Sequence, residues 1–226
     1  MSSKVVIHGH WVSQPCRSVL WAMMNEGVAF DFKKWDPMSG ETRSPEFLAM
    51  NPAGTIPVME DNGLFLFESP AIMTYLAQKH HWNKLYPTDL AQRSQVDQYL
   101  HWHHGNTRLC SGALFRPVLV GVLTGKSKEE VEAAVAQGQK KVAKVSKVVD
   151  QFLAKNNGYI AADHLTIADY MCYCEYDQLE VLNLFEFSKY PHLQKWMGTM
   201  KTLPNYEESH KTLMKLASMI QSKSKL

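Results

Sequence analysis

An α/β N-terminal half in the order βαβ-α-ββα, followed by an all-α C-terminal half, is the fold class that the 226-residue sequence predicts. Three observations predict it. Two short apolar runs bracket a helix-spaced segment at the start, Asn62-Gly63 separates two further apolar runs, and from about residue 82 apolar residues recur only every three and four positions.

The elements follow in order. Residues 4–10 and 28–35 read as strands, and the segment 15–26 between them carries Val19, Leu20, Met23 and Met24 at helical spacing. Pro15 sits where a first helical residue belongs, because its missing N–H costs nothing there and its φ is already helical. Pro37, Gly40 and Pro45 mark a loop, and a short helix is expected near 45–50. Residues 56–60 and 64–67 flank the turn Asp61-Asn62-Gly63, a strong hairpin signal. Ser69 is expected to cap a helix with Pro70 at its first position and Ile72, Met73, Tyr75 and Leu76 along it. This gives one domain over 1–80, a linker over 81–90 and a helical domain over 91–226. Thr88-Asp89 at the end of the linker opens a long helix; in the helical domain Val142 to Leu153 mark another that ends before Asn156-Asn157-Gly158, and Thr166 with Asp169 forms a capping box flanked by Leu165 and Tyr170. That box reads as folding code, without chemistry.

Composition excludes several function classes. The chain carries 24 Lys and Arg against 22 Asp and Glu, net +2, too little for a sequence-independent attraction to nucleic acid. Lys211, Lys215, Lys223 and Lys225 read as a solvated helix end. Four cysteines, Cys16, Cys110, Cys172 and Cys174, are too few for a disulfide framework and suit a reducing compartment. No apolar run approaches the ~18 residues of a membrane span, and no signal peptide precedes the first strand, so synthesis and folding in the cytoplasm are expected.

Four local motifs then carry a family resemblance: Ser13-Gln14-Pro15-Cys16-Arg17 at the strand-to-helix turn, Asn51-Pro52 leading to Ile56-Pro57, Glu68-Ser69, and the Thr166–Asp169 box. With the order of elements, they resemble the soluble glutathione transferases over essentially the whole chain. The first motif, together with residues 97–108 (DQYLHWHHGNTR), looks specifically theta-like. The resemblance implies a thioredoxin fold for the first domain, glutathione as co-substrate and a homodimer. It also implies a hydrophobic electrophile as partner.

Glutathione used as a nucleophile must be held as its thiolate, since a thiol of pKa about 8.5 is only a few per cent ionised at neutral pH. Lowering that pKa by ~2 units takes ~2.7 kcal/mol. One hydroxyl at a helix N-terminus suffices, since a hydrogen bond to a charged acceptor contributes about 1.5–3 kcal/mol and the helix end roughly 0.3–1. Ser13 is placed for this catalytic role; its plain alternative is an N-cap. The stretch 13–16 also reads as a redox Cys-x-x-Cys with its exposed first cysteine replaced by serine, leaving Cys16 as a packing residue. Arg17 reads as a surface or helix-packing cation that helps keep the site electropositive.

Glu68 suits the γ-glutamyl ammonium and Ser69 the adjoining carboxylate, although both also read as ordinary helix-start residues. Ile56-Pro57, implied to be cis, turns the backbone of Ile56 toward the cysteinyl backbone of glutathione as an added strand would. The family's basic anchors for the glycine carboxylate correspond to Thr42 and Thr55, so Arg43 is left to substitute. Asp97 and Arg108, eleven residues apart, are expected to share one face of the long helix, with Asp97 counted toward glutathione and Arg108 toward an anionic or peroxide substrate. A surface ion pair is the alternative.

Trp11 joins the substrate side, and Trp102, Leu109, Phe115 and Met171 are candidates for its apolar wall, or else core. His101 and His104 share a helix face, but no completing ligand at suitable spacing supports a metal, so none is expected. Ser224-Lys225-Leu226 matches the address read by the peroxisomal import receptor, with 221–223 expected to be exposed and unstructured. Peroxisomal location, with the cytoplasm as alternative, would suit reduction of organic hydroperoxides. Two other readings remain open: a non-catalytic binding module of the same fold, and a glutaredoxin-like reductase acting through Cys16.

Overall fold

The computed structural model describes residues 4–224. Its first part runs β1 (Val5–Gly9), α1 (Gln14–Asn25), β2 (Phe30–Lys34), α2 (Pro45–Met50), β3 (Val58–Asp61), β4 (Leu64–Phe67) and α3 (Ser69–Lys79). This is the expected βαβ-α-ββα order. The four strands lie in the order β2-β1-β3-β4. β2 pairs parallel with β1, while β3 pairs antiparallel with both β1 and β4. Asn62 (φ 50°) and Gly63 (φ 84°) form the β3–β4 turn in the left-handed region that such two-residue hairpins require. Ile7 and Met59 face each other across β1 and β3 and are fully buried.

The register gathers three chain segments at one end of the sheet. His8 pairs with Val58, and Val58 with Phe67. The exit of β1, the entry of β3 after Pro57 and the exit of β4 before Glu68 therefore lie side by side. Sequence-distant motifs meet because two of the strands are antiparallel to β3.

The second part comprises α4 (Leu90–Gly105), a π-helical turn (Cys110–Phe115), α5 (Arg116–Thr124), α6 (Lys128–Lys155), α7 (Ile167–Val181), α8 (Pro191–Lys201) and α9 (Tyr206–Ser224). Asp89 caps α4, accepting from the N–H of Gln92 at 3.0 Å. The Thr166–Asp169 box starts α7: Asp169 accepts from the Thr166 N–H at 2.8 Å. It also accepts from the Ile160 N–H at 3.0 Å and from the Trp196 indole at 3.1 Å, so the box ties three segments together. α1 lies against α7, and its residues from Val19 to Met23 are fully buried. Trp21 anchors this contact edge-on to Tyr170 at 5.0 Å and His210 at 4.8 Å. A buried aromatic of this size contributes roughly 3–5 kcal/mol against truncation to alanine. One apolar core runs through both parts.

Several expectations need correction. α1 begins at Gln14, so Pro15 is its second residue, and α3 is capped by Glu68, with Ser69 already helical. The helix expected to span 97–108 ends at Gly105, and Asn106 leaves helical geometry (φ −128°, ψ −81°). Residues 221–223 are helical, as α9 continues to Ser224, and the Gln221 amide donates to the Val181 carbonyl at 3.0 Å. Lys225 and Leu226 of the expected targeting tripeptide lie outside the described residues.

Candidate active site

The turn from β1 into α1 is folded tightly. The Ser13 N–H donates to the His10 carbonyl at 2.9 Å, and the Ser13 carbonyl accepts the first helical bond from Arg17 at 2.9 Å. Ser13 is the N-cap of α1, yet its side chain makes no capping bond, and no acidic residue stands in the first turn. Partly buried beyond the end of β1, its hydroxyl bonds the Cys16 thiol and lies over a helix N-terminus, a position suited to a ligand.

Cys16 lies beneath it, fully buried. Burial pushes its thiol up to about 11, against the opposing hydrogen bonds from Ser13 and the His10 backbone and the charges of Arg17 and Arg108. Such a thiol is neither exposed nor ionised, which removes the glutaredoxin-like reading. A Cβ on Gly9 would come within 2.7 Å of Cys16 Sγ, so the strand approaches the helix closely there.

Arg17 is fully buried, contrary to a surface role. It pairs with Asp177 in α7 through two contacts of 2.8 Å and donates to the carbonyls of Val12 at 2.5 Å and Cys174 at 3.2 Å. The Val12 bond holds the residue just before Ser13. Beyond Asp177 lies His210 Nε2, at 3.2 Å.

At the neighbouring strand ends, the Ile56-Pro57 peptide is cis. Asn51, fully buried, donates to the Thr55 carbonyl at 2.8 Å and hydroxyl at 3.1 Å, fixing the chain just before Ile56. Thr42 is buried, whereas Arg43 is exposed and donates to the Ala53 carbonyl at 3.1 Å. Glu68 holds a positive φ of 68°, uncommon for a residue with a side chain, and presents an exposed carboxylate. Ser69 is buried at the start of α3, and the first main-chain bond of that helix runs from Ile72 N–H to the Glu68 carbonyl at 3.0 Å. The earlier N–H groups are left for other acceptors.

The helical part supplies the facing wall. His104 of α4 reaches Glu68 at 3.8 Å. Arg108 donates to Glu175 at 2.6 Å and to Gln14, next to Ser13, at 3.4 Å. Asp97 instead accepts from the Tyr86 hydroxyl at 2.9 Å and Arg108 pairs with Glu175, so the alternative reading of a surface Asp97–Arg108 ion pair is not met. Trp11 stays at the β1 end, its ring 5.4 Å from that of Phe32.

Trp102 and Phe115 do not join the Ser13 turn. Trp102 is two residues from His104, hence on nearly the opposite side of α4. It packs edge-on against Phe152 at 5.3 Å and lines a separate hollow of about 130 Å³. Phe115 is core. A larger hollow, about 420 Å³, opens beside Lys4, Glu26 and His80 at the far ends of β1 and α3.

His103, whose imidazole burial and the nearby Arg108 and His104 charges hold down to about 3, is neutral and fills core space. Among the described residues, the group with metal-ligand proximity is Cys174, Asp177 and His210, where the Arg17 guanidinium already occupies the carboxylate.

Sequence reasoning missed Gln14, Ser111, Glu175, Asp177 and Gln178. Glu175 accepts from the Ser111 hydroxyl at 2.5 Å, Gln178 donates to that hydroxyl at 2.7 Å, and the Gln14 amide donates to Gln178. The available signal was acids and an amide inside a helix of aromatics and cysteines, which is affordable only with buried partners.

Two family models match the chain: "Glutathione S-transferase, N-terminal domain" over residues 5–78 and "Glutathione S-transferase, C-terminal domain" over 115–204. Rat glutathione S-transferase theta-2 is 30% identical over 220 residues, covering 94% of this chain and 88% of the rat protein. A glutathione transferase homolog from Drosophila mojavensis, solved with bound glutathione, superposes with a TM-score of 0.82 at 27% identity, covering 99% of this chain and 98% of the other. The apo form of human glutathione S-transferase T1-1 gives 0.82 at 26% identity, covering 97% and 95%.

Proposed function

The chain belongs to the glutathione S-transferase family, and from that premise we propose a serine-type enzyme in which the Ser13 hydroxyl holds the sulfur of bound glutathione as a thiolate. The observation that carries this reading is an N-cap serine whose side chain does no capping, over a helix start without an acidic neighbour. The thiol proton leaves to solvent. The thiolate then forms a bond to the electrophilic carbon as the bond to the leaving group breaks, while the hydroxyl remains a donor throughout. With an organic hydroperoxide the same thiolate attacks the O–O bond, releasing the alcohol, and a second glutathione reduces the resulting sulfenic acid to the disulfide.

Glu68 pairs with the γ-glutamyl ammonium, and Ser69 with the free N–H groups of α3 takes the neighbouring carboxylate. The main chain of Ile56, before Pro57, pairs with the cysteinyl residue. Arg43 is the cation left for the glycine carboxylate; Thr55 and the buried Thr42 support the loops on either side of it. We place the division between the glutathione-binding and helical units at 81–90.

A homodimer is part of this proposal. β4 is an edge strand with Leu64, Phe65 and Phe67 all more than a third exposed, an apolar edge that natural sheets cover. Phe65→Glu should convert the dimer to monomer by sedimentation velocity; a wild-type monomer at micromolar concentration removes this part.

The deciding experiment is a spectroscopic titration of bound glutathione against pH, beside calorimetry of its binding. The sulfur should ionise about 2 pH units below that of free glutathione. Binding with unchanged ionisation removes Ser13 from the chemistry, and absence of binding at millimolar glutathione favours the non-catalytic module.

A further inference from the structure

Glu175, the ninth residue of α7, is 1% exposed and sits among hydrogen-bonding partners. Arg108 Nη1 donates to one carboxylate oxygen at 2.6 Å, and Ser111 to the other at 2.5 Å. Gln178 Nε2 lies at 3.4 Å. His103 Nε2 is 3.9 Å away and uncharged, His104 is turned to Glu68, and Asp177 is taken up by Arg17. Arg108 is therefore the cation bonded directly to this carboxylate among the described residues. Buried carboxylates of this kind are retained only when paired.

The same nitrogen of Arg108 also reaches the Ser13 turn. Its Nη1 is 3.4 Å from Gln14 Oε1, and its charge is felt at Cys16, one turn into α1. Gln14 is in turn held by Gln178. The guanidinium thus links the buried Glu175 carboxyl to the residue that follows Ser13.

We propose that Glu175 is a positioning residue for the transferase reaction: it fixes the Arg108 guanidinium beside Gln14 and offsets its charge, so that the Ser13 hydroxyl rather than the arginine governs the proton on the glutathione sulfur. The inference rests on the serine-thiolate reading. Its chemical value lies in a compromise, because a thiolate made more acidic by an unopposed cation is more abundant but a weaker nucleophile, with a Brønsted coefficient of about 0.4–0.5. The pair leaves the sulfur acidic enough to ionise and basic enough to attack.

A reporter separates this inference from the reading beneath it. Ser13→Cys, made together with Cys16→Ala so that no Cys-x-x-Cys pair forms, places a titratable thiol at the turn, and because the remaining native cysteines are buried, the pH profile of iodoacetamide alkylation reads the reporter alone. In that background Glu175→Gln, which keeps the side-chain shape, should lower the reporter's pKa by about 0.5–1 pH unit. Adding Arg108→Gln should return it close to the starting value, and Arg108→Gln alone should raise it. No change with Glu175→Gln, or a lowered value that persists without Arg108, overturns the proposal.

In the enzyme with Ser13, Glu175→Gln should move the rate profile to lower pH and reduce the limiting rate at high pH by about 2–3-fold. Should the reporter respond as expected while glutathione fails to bind, the electrostatic inference stands and the proposed function falls. Thermal melts of each variant check folding, and the 41% exposure of the Arg108 side chain lets a freed guanidinium reach water.

Discussion

Arg17 and Asp177 stand 160 residues apart in the chain and meet through two contacts of 2.8 Å with both side chains fully buried. The pair joins α1 to α7, and so joins the βαβ-α-ββα part to the helical part. Through its bond to the Val12 carbonyl it also fixes the loop that presents Ser13. Burial lowers the proton affinity of the guanidinium, but Asp177 and the surrounding hydrogen bonds prevail, and the arginine remains charged.

Removing one partner strands the other charge in the core. Asp177→Leu should therefore destabilise the protein by about 3–5 kcal/mol in denaturant titration. Combined with Arg17→Met, the loss should shrink well below the sum, since no unpaired ion remains. Additive losses would mean that packing, not the ion pair, dominates at this junction.

The sequence made the local code visible and hid the long-range pairs. Period and turn chemistry disclosed the strands, the Asn62-Gly63 hairpin and the capping box, because each is settled by neighbours in the chain. Arg17 stayed ambiguous because its partner is in the other half. Residues 97–108 read as one helix since Asn106 and Thr107 break the spacing only weakly, while the observed break lets Arg108 turn to Glu175. Trp102 looked like cleft wall because an apolar side chain on an amphipathic helix does not declare which neighbour it meets.

His103 carries a pH signature. Its pKa falls from an ordinary 6.5 to about 3 on folding, through burial first and then the Arg108 and His104 charges. Between these values the unfolded chain binds a proton that the folded one refuses, so stability is full above about pH 6.5 and lost as pH falls. From pH 7 to pH 5 the loss should be about 2 kcal/mol. Urea titrations of wild type and His103→Gln should show a flatter pH dependence in the variant; equal slopes would mean that His103 titrates normally.

Gly9 and Cys16 make a steric pair. Gly9→Ala would bring a methyl within 2.7 Å of Cys16 Sγ, and overpacking of this sort costs typically 1–3 kcal/mol. Cys16→Ala removes the sulfur and should rescue most of that loss, read as the coupling in a double-mutant cycle of melting curves. The single Cys16→Ala protein should also retain its transferase activity within a few fold, because the thiol is buried and un-ionised. Loss of activity with stability intact would return Cys16 to the chemistry.

Ser13→Ala tests the proposed donor itself. The hydroxyl is not used to cap α1, so its removal should leave stability within about 0.5 kcal/mol, whereas loss of a true N-cap bond costs about 1. Turnover with an activated aryl halide should fall by about 10²-fold, and the bound sulfur's pKa should rise by about 2. Because the proposed glutathione contacts of Glu68, Ser69 and Arg43 are untouched, the affinity for glutathione at high pH, where the sulfur is already ionised, should change far less than the rate at neutral pH. A uniform loss at every pH would instead assign Ser13 to ground-state binding and leave thiolate stabilisation to the helix N-terminus.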